Sequence, residues 1–272
     1  MREELAYSIL NPTGSKPPLF WVTPDAVQFP LFRMLGRDQP IVCLRGPTFG
    51  SDDPPYSMDR LAEHYIRAIE RVQPDGPYAL AGFCVAATLA HEVAVKLMAR
   101  GRLARLVVMI DPPDPAESRR AFARDPLAYR IRFALHRWGF HLQRMRRMGL
   151  RGSLQYLGGA VHAIRKRLTY HLSQKAHERA CRSGTAMPER FNDNYHASIA
   201  AFWNSTPGVY RGRALIVRPA EAPVAAFEHA SLRWASLIEG EIENVETSGD
   251  GESMWSAPQV AMLADVISAR LS

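Results

Sequence analysis

The fold is decided by Tyr78-Ala79-Leu80-Ala81-Gly82-Phe83-Cys84-Val85-Ala86-Ala87-Thr88-Leu89-Ala90. An apolar run ends at Gly82, a short turn follows, and the chain then continues as an alanine-rich helix. This order is typical of a nucleophile elbow, a strand-to-helix turn that lifts one side chain above a parallel sheet. The usual pattern is Gly-x-Ser-x-Gly, and here it reads Gly-x-Cys-x-Ala with Cys84 at the nucleophile position. The backbone N–H of Val85 would then face a developing oxyanion. A buried structural cysteine at a βα turn is the alternative.

Strands and helices alternate on both sides of this stretch. A helix begins near Ser57, the elbow helix runs to about Arg100, and a last helix covers 258–271. The apolar runs that read as further strands are Leu19–Val22, Ile41–Leu44, Leu106–Ile110, Ala214–Val217 and Ile242–Val245. This alternation predicts an α/β fold, with a mostly parallel sheet flanked by helices.

One long interval interrupts the alternation. Residues 116–206 show no strand pattern and read as helices over roughly 121–148, 153–181 and 187–204. We therefore expect a core built from 1–115 and 207–272, with 116–206 inserted as a helical lid.

The interval is also strongly basic. Residues 117–190 contain 17 Arg and Lys against 4 Asp and Glu, in a chain of net charge +7. A solvated helical surface, a nucleic-acid site or a docking site for an acidic protein would each give this composition.

Composition restricts the location and the chemistry. The three cysteines, Cys43, Cys84 and Cys181, show neither metal-binding spacing nor a disulfide framework. No run of eighteen apolar residues is present, and the first residues lack the apolar core of a signal peptide. We therefore expect a cytoplasmic protein without a metal site and without contact with a membrane.

Four segments resemble the thioesterase domains that end nonribosomal peptide and polyketide assembly lines. They are Asn11–Phe20, Val72–Cys84, Pro207–Gly212 and Ser248–Met254, the last followed by Ala257-Pro258. The resemblance implies an α/β-hydrolase fold with a helical lid insertion. It also implies a nucleophile, an acid after the strand that follows the elbow helix, and a histidine near the C-terminus.

The first two of these positions can be assigned. Cys84 would be the nucleophile, and Asp111, directly after Leu106–Ile110, would be the acid; a turn-capping aspartate before Pro112 is the alternative. The family's first oxyanion loop usually reads His-Pro-x-Gly-Gly, and here Thr23-Pro24-Asp25-Ala26-Val27 takes its place. The backbone N–H of Asp25 or Ala26 could still serve, since a backbone donor does not depend on side-chain identity.

The histidine position departs from the family. Where the family reads Gly-Asp-His-Phe-x-Met, this chain has Gly249-Asp250-Gly251-Glu252-Ser253-Met254. A serine without a base is nearly inert, but a thiol of pKa ~8.5 is already a few per cent thiolate at neutral pH. A helix N-terminus lowers that pKa further. A cysteine can therefore still be acylated, and deacylation by water is the step left without help.

Several residues could replace the missing base. Glu252 is the leading candidate, with a surface carboxylate as the alternative. The others considered were Asp250, His91, His196 and His229, each with a structural or surface role as the alternative.

These observations predict an enzyme that takes an acyl chain from a carrier protein onto Cys84. We expect release by transfer to a small-molecule acceptor, forming an ester, lactone, amide or C–C bond, with no cofactor beyond the carrier's phosphopantetheine. The basic lid would dock the carrier, not nucleic acid, through Arg144, Arg146, Arg147, Arg165, Lys166 and Arg167. Two alternatives remain: a non-catalytic relic that binds acyl groups or carriers, and an editing thioesterase with Glu252 as base.

Overall fold

The structure of the chain is a computed structural model. It describes residues 7–23, 25–47, 57–113, 194–203, 205–220, 234–251 and 253–271, together with scattered positions between 135 and 191.

Seven strands form one sheet in the order β1-β3-β2-β4-β5-β6-β7. They are β1 (Tyr7–Leu10), β2 (Leu19–Val22), β3 (Ile41–Leu44), β4 (Tyr78–Phe83), β5 (Ala104–Ile110), β6 (Ala214–Pro219) and β7 (Ile242–Thr247). Strand β1 is antiparallel to β3, and the remaining pairs are parallel. The predicted fold class is confirmed. Strand β1 was not predicted.

Helices cover both faces of the sheet, as a largely parallel sheet requires. They are α1 (Phe29–Met34), α2 (Met58–Val72), α3 (Val85–Ala99), α4 (Asn194–Trp203) and α5 (Gln259–Leu271). One hydrophobic core joins α2, α3 and α4 to one face of the sheet. A second core joins α1 and α5 to the opposite face.

Local sequence explains where the helices begin and end. The Ser57 side chain accepts a hydrogen bond from the backbone N–H of Arg60 and caps α2. Leu61, Tyr65, Ile66 and Ile69 form the predicted apolar face of α2, and all are buried. Gly101, with φ +72°, follows α3 in the left-handed conformation that commonly ends a helix.

The predicted lid lies mostly outside the described residues. In 116–206 the structure describes scattered positions up to Phe191, most of them helical, and then α4. Helix α4 places Ala201 and Phe202 in the same core as α2 and α3. The division into core and lid stays a prediction. Within the described part of the chain, the helices are too short or too polar to cross a membrane.

Candidate active site

Cys84 forms the turn between β4 and α3 by itself. Strand β4 ends at Phe83 and α3 begins at Val85, while Cys84 has φ 54° and ψ −126° and is exposed. A non-glycine residue in this region costs about 1–3 kcal/mol and is found mainly at functional sites. The predicted elbow is therefore present. Nucleophilic catalysis by Cys84 remains a prediction.

Close packing and hydrogen bonds hold the elbow in this conformation. A Cβ added at Gly82 would lie 2.3 Å from the backbone oxygen of Ala86, so only glycine fits where α3 turns back over β4. The Cys84 N–H donates to the Ile110 carbonyl at 2.9 Å, and the Ala87 N–H donates to the Cys84 carbonyl at 3.0 Å. The thiol thus stands on a fixed backbone at the N-terminus of α3.

Asp111 occupies the matching position on the neighbouring strand. Phe83 pairs with Ile110 in the β4–β5 register, so Cys84 and Asp111 directly follow adjacent strands. Neighbouring strands lie about 4.8 Å apart in a sheet. Asp111 also has a left-handed backbone, with φ 46°, and its N–H donates to the Val217 carbonyl at 2.7 Å. The structure therefore brings the predicted nucleophile and the predicted acid to the same edge of the sheet.

The environment of Asp111 favours its protonated form. Burial raises the pKa of Asp111 to about 6, and the Arg218 guanidinium on the next strand acts in the opposite direction. Ile110 pairs with Val217, which places Arg218 beside Asp111 in the sheet. Sequence reasoning missed Arg218, although its position directly after the apolar run Ala214–Val217 predicts the same edge of the sheet.

Gly251 faces the Asp111 carboxylate. A Cβ added at Gly251 would lie 3.5 Å from Asp111 Oδ2, an ordinary van der Waals distance. A side chain at position 251 would therefore begin next to the carboxylate, as a histidine oriented by an aspartate must.

The loop that carries Gly251 is firmly held. Asp250 Oδ1 accepts hydrogen bonds from the backbone N–H of Ser253 at 2.7 Å and from its hydroxyl at 2.8 Å. The indole N–H of Trp255 donates to the Gly251 carbonyl at 3.0 Å. The same indole packs edge-on against the ring of Phe83, the residue before Cys84, with the two ring centroids 4.9 Å apart. The Asp250 carboxylate thus shapes its own loop, and Trp255 joins that loop to the elbow.

In the loop after β2, the two N–H groups that the sequence suggested as oxyanion donors already make hydrogen bonds within the loop. The Asp25 N–H donates to Gln28 Oε1 at 2.5 Å, and the Ala26 N–H donates to Asp25 Oδ1 at 2.6 Å. The bond to Gln28 belongs to a capping box that begins a short 3-10 helix, Ala26–Gln28, and the bond from Ala26 is accepted by the side chain of the same N-cap residue, Asp25. An oxyanion would have to compete with them. Val85 differs, because the N–H of the first residue of a helix is not used by the helical ladder.

Two of the other candidate bases pack against aromatic rings. His91 is buried in α3 with its ring against Tyr210 and Trp234, and burial lowers its pKa to about 4. His196 on α4 packs against the ring of Phe191 at 5.5 Å. Glu252 and His229 lie outside the described residues.

Of the six residues predicted to dock the carrier, only one lies within the described part of the chain. Arg146 is helical and exposed; Arg144, Arg147, Arg165, Lys166 and Arg167 lie outside the described residues.

The strand order and the elbow define an α/β-hydrolase fold. The chain belongs to the thioesterase domain family, whose family model matches residues 18–196. It is similar to the atromentin synthetase nps3 of Serpula lacrymans, with 35% identity over 109 residues, 38% of this chain and 11% of that protein. It is also similar to the nonribosomal peptide synthetase btyA of Aspergillus terreus, with 38% identity over 98 residues, 34% of this chain and 10% of that protein.

Among solved structures, the fold is shared with the NocB thioesterase domain in covalent complex with a fluorophosphonate nocardicin G analog. The TM-score is 0.59 and the identity 18%, with 98% of this chain and 100% of that chain covered. The chain thus matches a whole thioesterase domain but only about a tenth of the length of the curated synthetases.

Proposed function

We propose that this domain takes an acyl group from a carrier-bound thioester onto Cys84 and passes it to a second substrate instead of water. The observation that carries the proposal is the pairing of an exposed cysteine in a strained elbow with a glycine that faces Asp111. The product would be an ester, lactone, amide or new C–C bond.

Acylation requires a thiolate and an oxyanion site. Cys84 lies at the N-terminus of α3, a helix of fifteen residues whose dipole favours negative charge at that end. The thiolate would attack the carrier thioester, and the negative charge on the carbonyl oxygen would face the Val85 N–H. Thioester exchange keeps the acyl group activated, because sulfur remains a good leaving group.

Release by water would lack the usual base. In the serine–histidine–aspartate arrangement an imidazole activates the water that breaks the acyl-enzyme, and a positioned general base contributes ~10²–10⁴-fold. With glycine at position 251, Asp111 has no imidazole from that position to orient. An acceptor that binds in a fixed orientation gains over water through proximity.

Intact-protein mass spectrometry tests the proposal directly. The protein is incubated with an acyl-pantetheine thioester, and the mass of the acyl adduct is followed over time beside Cys84→Ala. We expect a stoichiometric adduct on the wild type that persists for minutes or longer. No adduct would favour a non-catalytic relic, and rapid turnover in water would favour an editing thioesterase.

We further propose that the basic lid docks the acidic carrier. Opposite charges steer association and raise on-rates. The support is the charge of residues 117–190, which contain 17 basic and 4 acidic residues, together with the exposure of Arg146.

Charge reversal of Arg144, Arg146 and Arg147 tests this docking role. It should slow loading of Cys84 from a carrier-bound thioester but not from a small pantetheine thioester. Reversal of the exposed Arg33 and Arg37, outside the lid, is the control. An equal loss of the acylation rate with the carrier-bound thioester and with the pantetheine thioester would contradict a docking role.

A further inference from the structure

Gly251 is a glycine that the fold does not require. Gly249 has φ +90° and an added Cβ would lie 2.4 Å from Ser253 Oγ, so glycine is needed there. Gly82 is equally constrained by the backbone of α3. At Gly251 the backbone is not left-handed. Apart from its two chain neighbours, a Cβ there would meet, among the described residues, only Asp111 Oδ2 within 4 Å. The space beside Gly251 therefore calls for a functional explanation.

Two residues of the site lie near Gly251 or follow neighbouring strands. The Asp111 carboxylate lies next to the position of a Cβ added at Gly251, and Cys84 follows the strand adjacent to the one that ends before Asp111. The loop below is fixed by the Trp255 indole, which donates to the Gly251 carbonyl and packs on Phe83. A histidine side chain at position 251 would begin in this region, next to the Asp111 carboxylate.

We propose that the space between Gly251, Asp111 and Cys84 binds the acyl acceptor, a small primary amine or alcohol, and that Asp111 takes the acceptor's proton directly. The proposal rests on the proposed function, because it names the second substrate of the same site. Asp111 would then be a catalytic base and not the orienter of one. An acceptor with a carbon chain would make more contacts beside Gly251 than a water molecule and would be held in a fixed orientation toward both residues.

The reaction balances without any further reagent. The acceptor nitrogen or oxygen forms a bond to the thioester carbon, and the C–S bond breaks with its electron pair going to Cys84 Sγ. The proton of the acceptor passes to Asp111 and then to the Cys84 thiolate. The net change converts an acyl-cysteine and an amine or alcohol into an amide or ester and a free thiol.

Asp111 has the base strength for this role. A general base works best with a pKa near the working pH, and histidine has a pKa of about 6.5. Burial raises the pKa of Asp111 to about 6, which brings it close to histidine, although Arg218 opposes the shift. An aspartate of ordinary pKa would be a much weaker base.

The test measures the decay rate of acyl-Cys84 that has already formed, so differences between variants in the rate of acylation do not affect it. Propylamine is added at increasing concentrations to the acylated wild type, Gly251→Val, Asp111→Asn and, as a control for the added bulk, Gly139→Val at an open helical position. We expect saturable aminolysis in the wild type and in the control. Gly251→Val should lose saturation, and Asp111→Asn should slow aminolysis at least tenfold. Equal rates, linear in amine, for wild type and Gly251→Val would overturn the proposal.

A second measurement is independent of acylation. Imidazole, the ring of the histidine that position 251 lacks, is the probe, and its binding to the unacylated protein is measured by saturation-transfer NMR. Binding to the wild type and to Gly139→Val, but not to Gly251→Val, is expected. If no acyl adduct forms but imidazole binds at Gly251, the proposed function fails while the subsite stands. If the adduct forms and imidazole binding is unaffected by Gly251→Val, the subsite is refuted and the acyl-enzyme stands.

Discussion

Gly251→His should convert the acyl-enzyme into a hydrolase. The Cβ of the new histidine would begin 3.5 Å from Asp111 Oδ2, on a backbone that accepts a side chain. At that distance the imidazole can donate to the carboxylate through one nitrogen and face the acyl-cysteine with the other. A positioned general base accelerates such a step ~10²–10⁴-fold, which lowers the barrier by about 3–5 kcal/mol.

The assay is a single turnover. The acyl adduct of Cys84 is formed with an acyl-pantetheine thioester, excess donor is removed, and the loss of the adduct mass in water is timed. Gly251→Ala adds a Cβ without a base and should decay like the wild type. The double variant Gly251→His/Asp111→Asn keeps the imidazole but loses the carboxylate that orients it, so most of the acceleration should disappear.

Two results would refute this reasoning. If wild-type acyl-Cys84 hydrolyses within seconds, another residue already acts as the base, and Glu252 would be the first to examine. If Gly251→His accelerates hydrolysis equally with and without Asp111, the new histidine acts from another position, and the pairing of residues 111 and 251 has no catalytic meaning.

Three further predictions concern the elbow and the acid. Cys84→Ala should abolish the acyl adduct, and Cys84→Ser should reduce its rate of formation by at least a hundredfold, since a hydroxyl without a base is nearly inert; both are read by intact mass. Asp111→Asn should raise the free energy of unfolding at pH 8 by on the order of 2 kcal/mol, with little effect at pH 4. The sign follows because a pKa raised from 3.8 to about 6 gives stability that is present below pH 4 and lost as the pH rises through 6, a change that urea titrations at the two pH values measure. Gly82→Ala should lower the free energy of unfolding by about 1–3 kcal/mol because its Cβ would meet backbone at 2.3 Å, whereas Gly251→Ala, at an open position, should not.

The core of the fold could be predicted because its signals are local. An apolar run, small residues around a turn and an alanine-rich helix specify the elbow before any tertiary contact is known. The edge strand β1 was missed because Tyr7–Leu10 is short and only partly buried, so its pairing with β3 is decided by the neighbouring strand and not by its own pattern.

The site was predictable in its positions but not in its energetics. Cys84 and Asp111 follow apolar runs, and residues after parallel strands meet at one edge of the sheet. The raised pKa of Asp111 depends on burial and on Arg218, two properties that sequence spacing does not report. The capping box at Asp25 did have a sequence signal, since Asp-x-x-Gln is a known helix-start pattern. Because the Asp25 and Ala26 N–H groups already donate within the loop, they are weaker candidates for oxyanion donors than the sequence suggested.

The contact between Phe83 and Trp255 sets an order on the assembly of the site. Phe83 is synthesised well before Trp255, which follows β6 and β7 in the chain. Contacts between residues so distant in sequence form late in folding, because the entropy of closing the long intervening loop opposes them. A growing chain therefore presents the Cys84 thiol well before the loop of Gly251 can reach it. The site is therefore complete only after the loop of Gly251 has been synthesised and packed against the elbow.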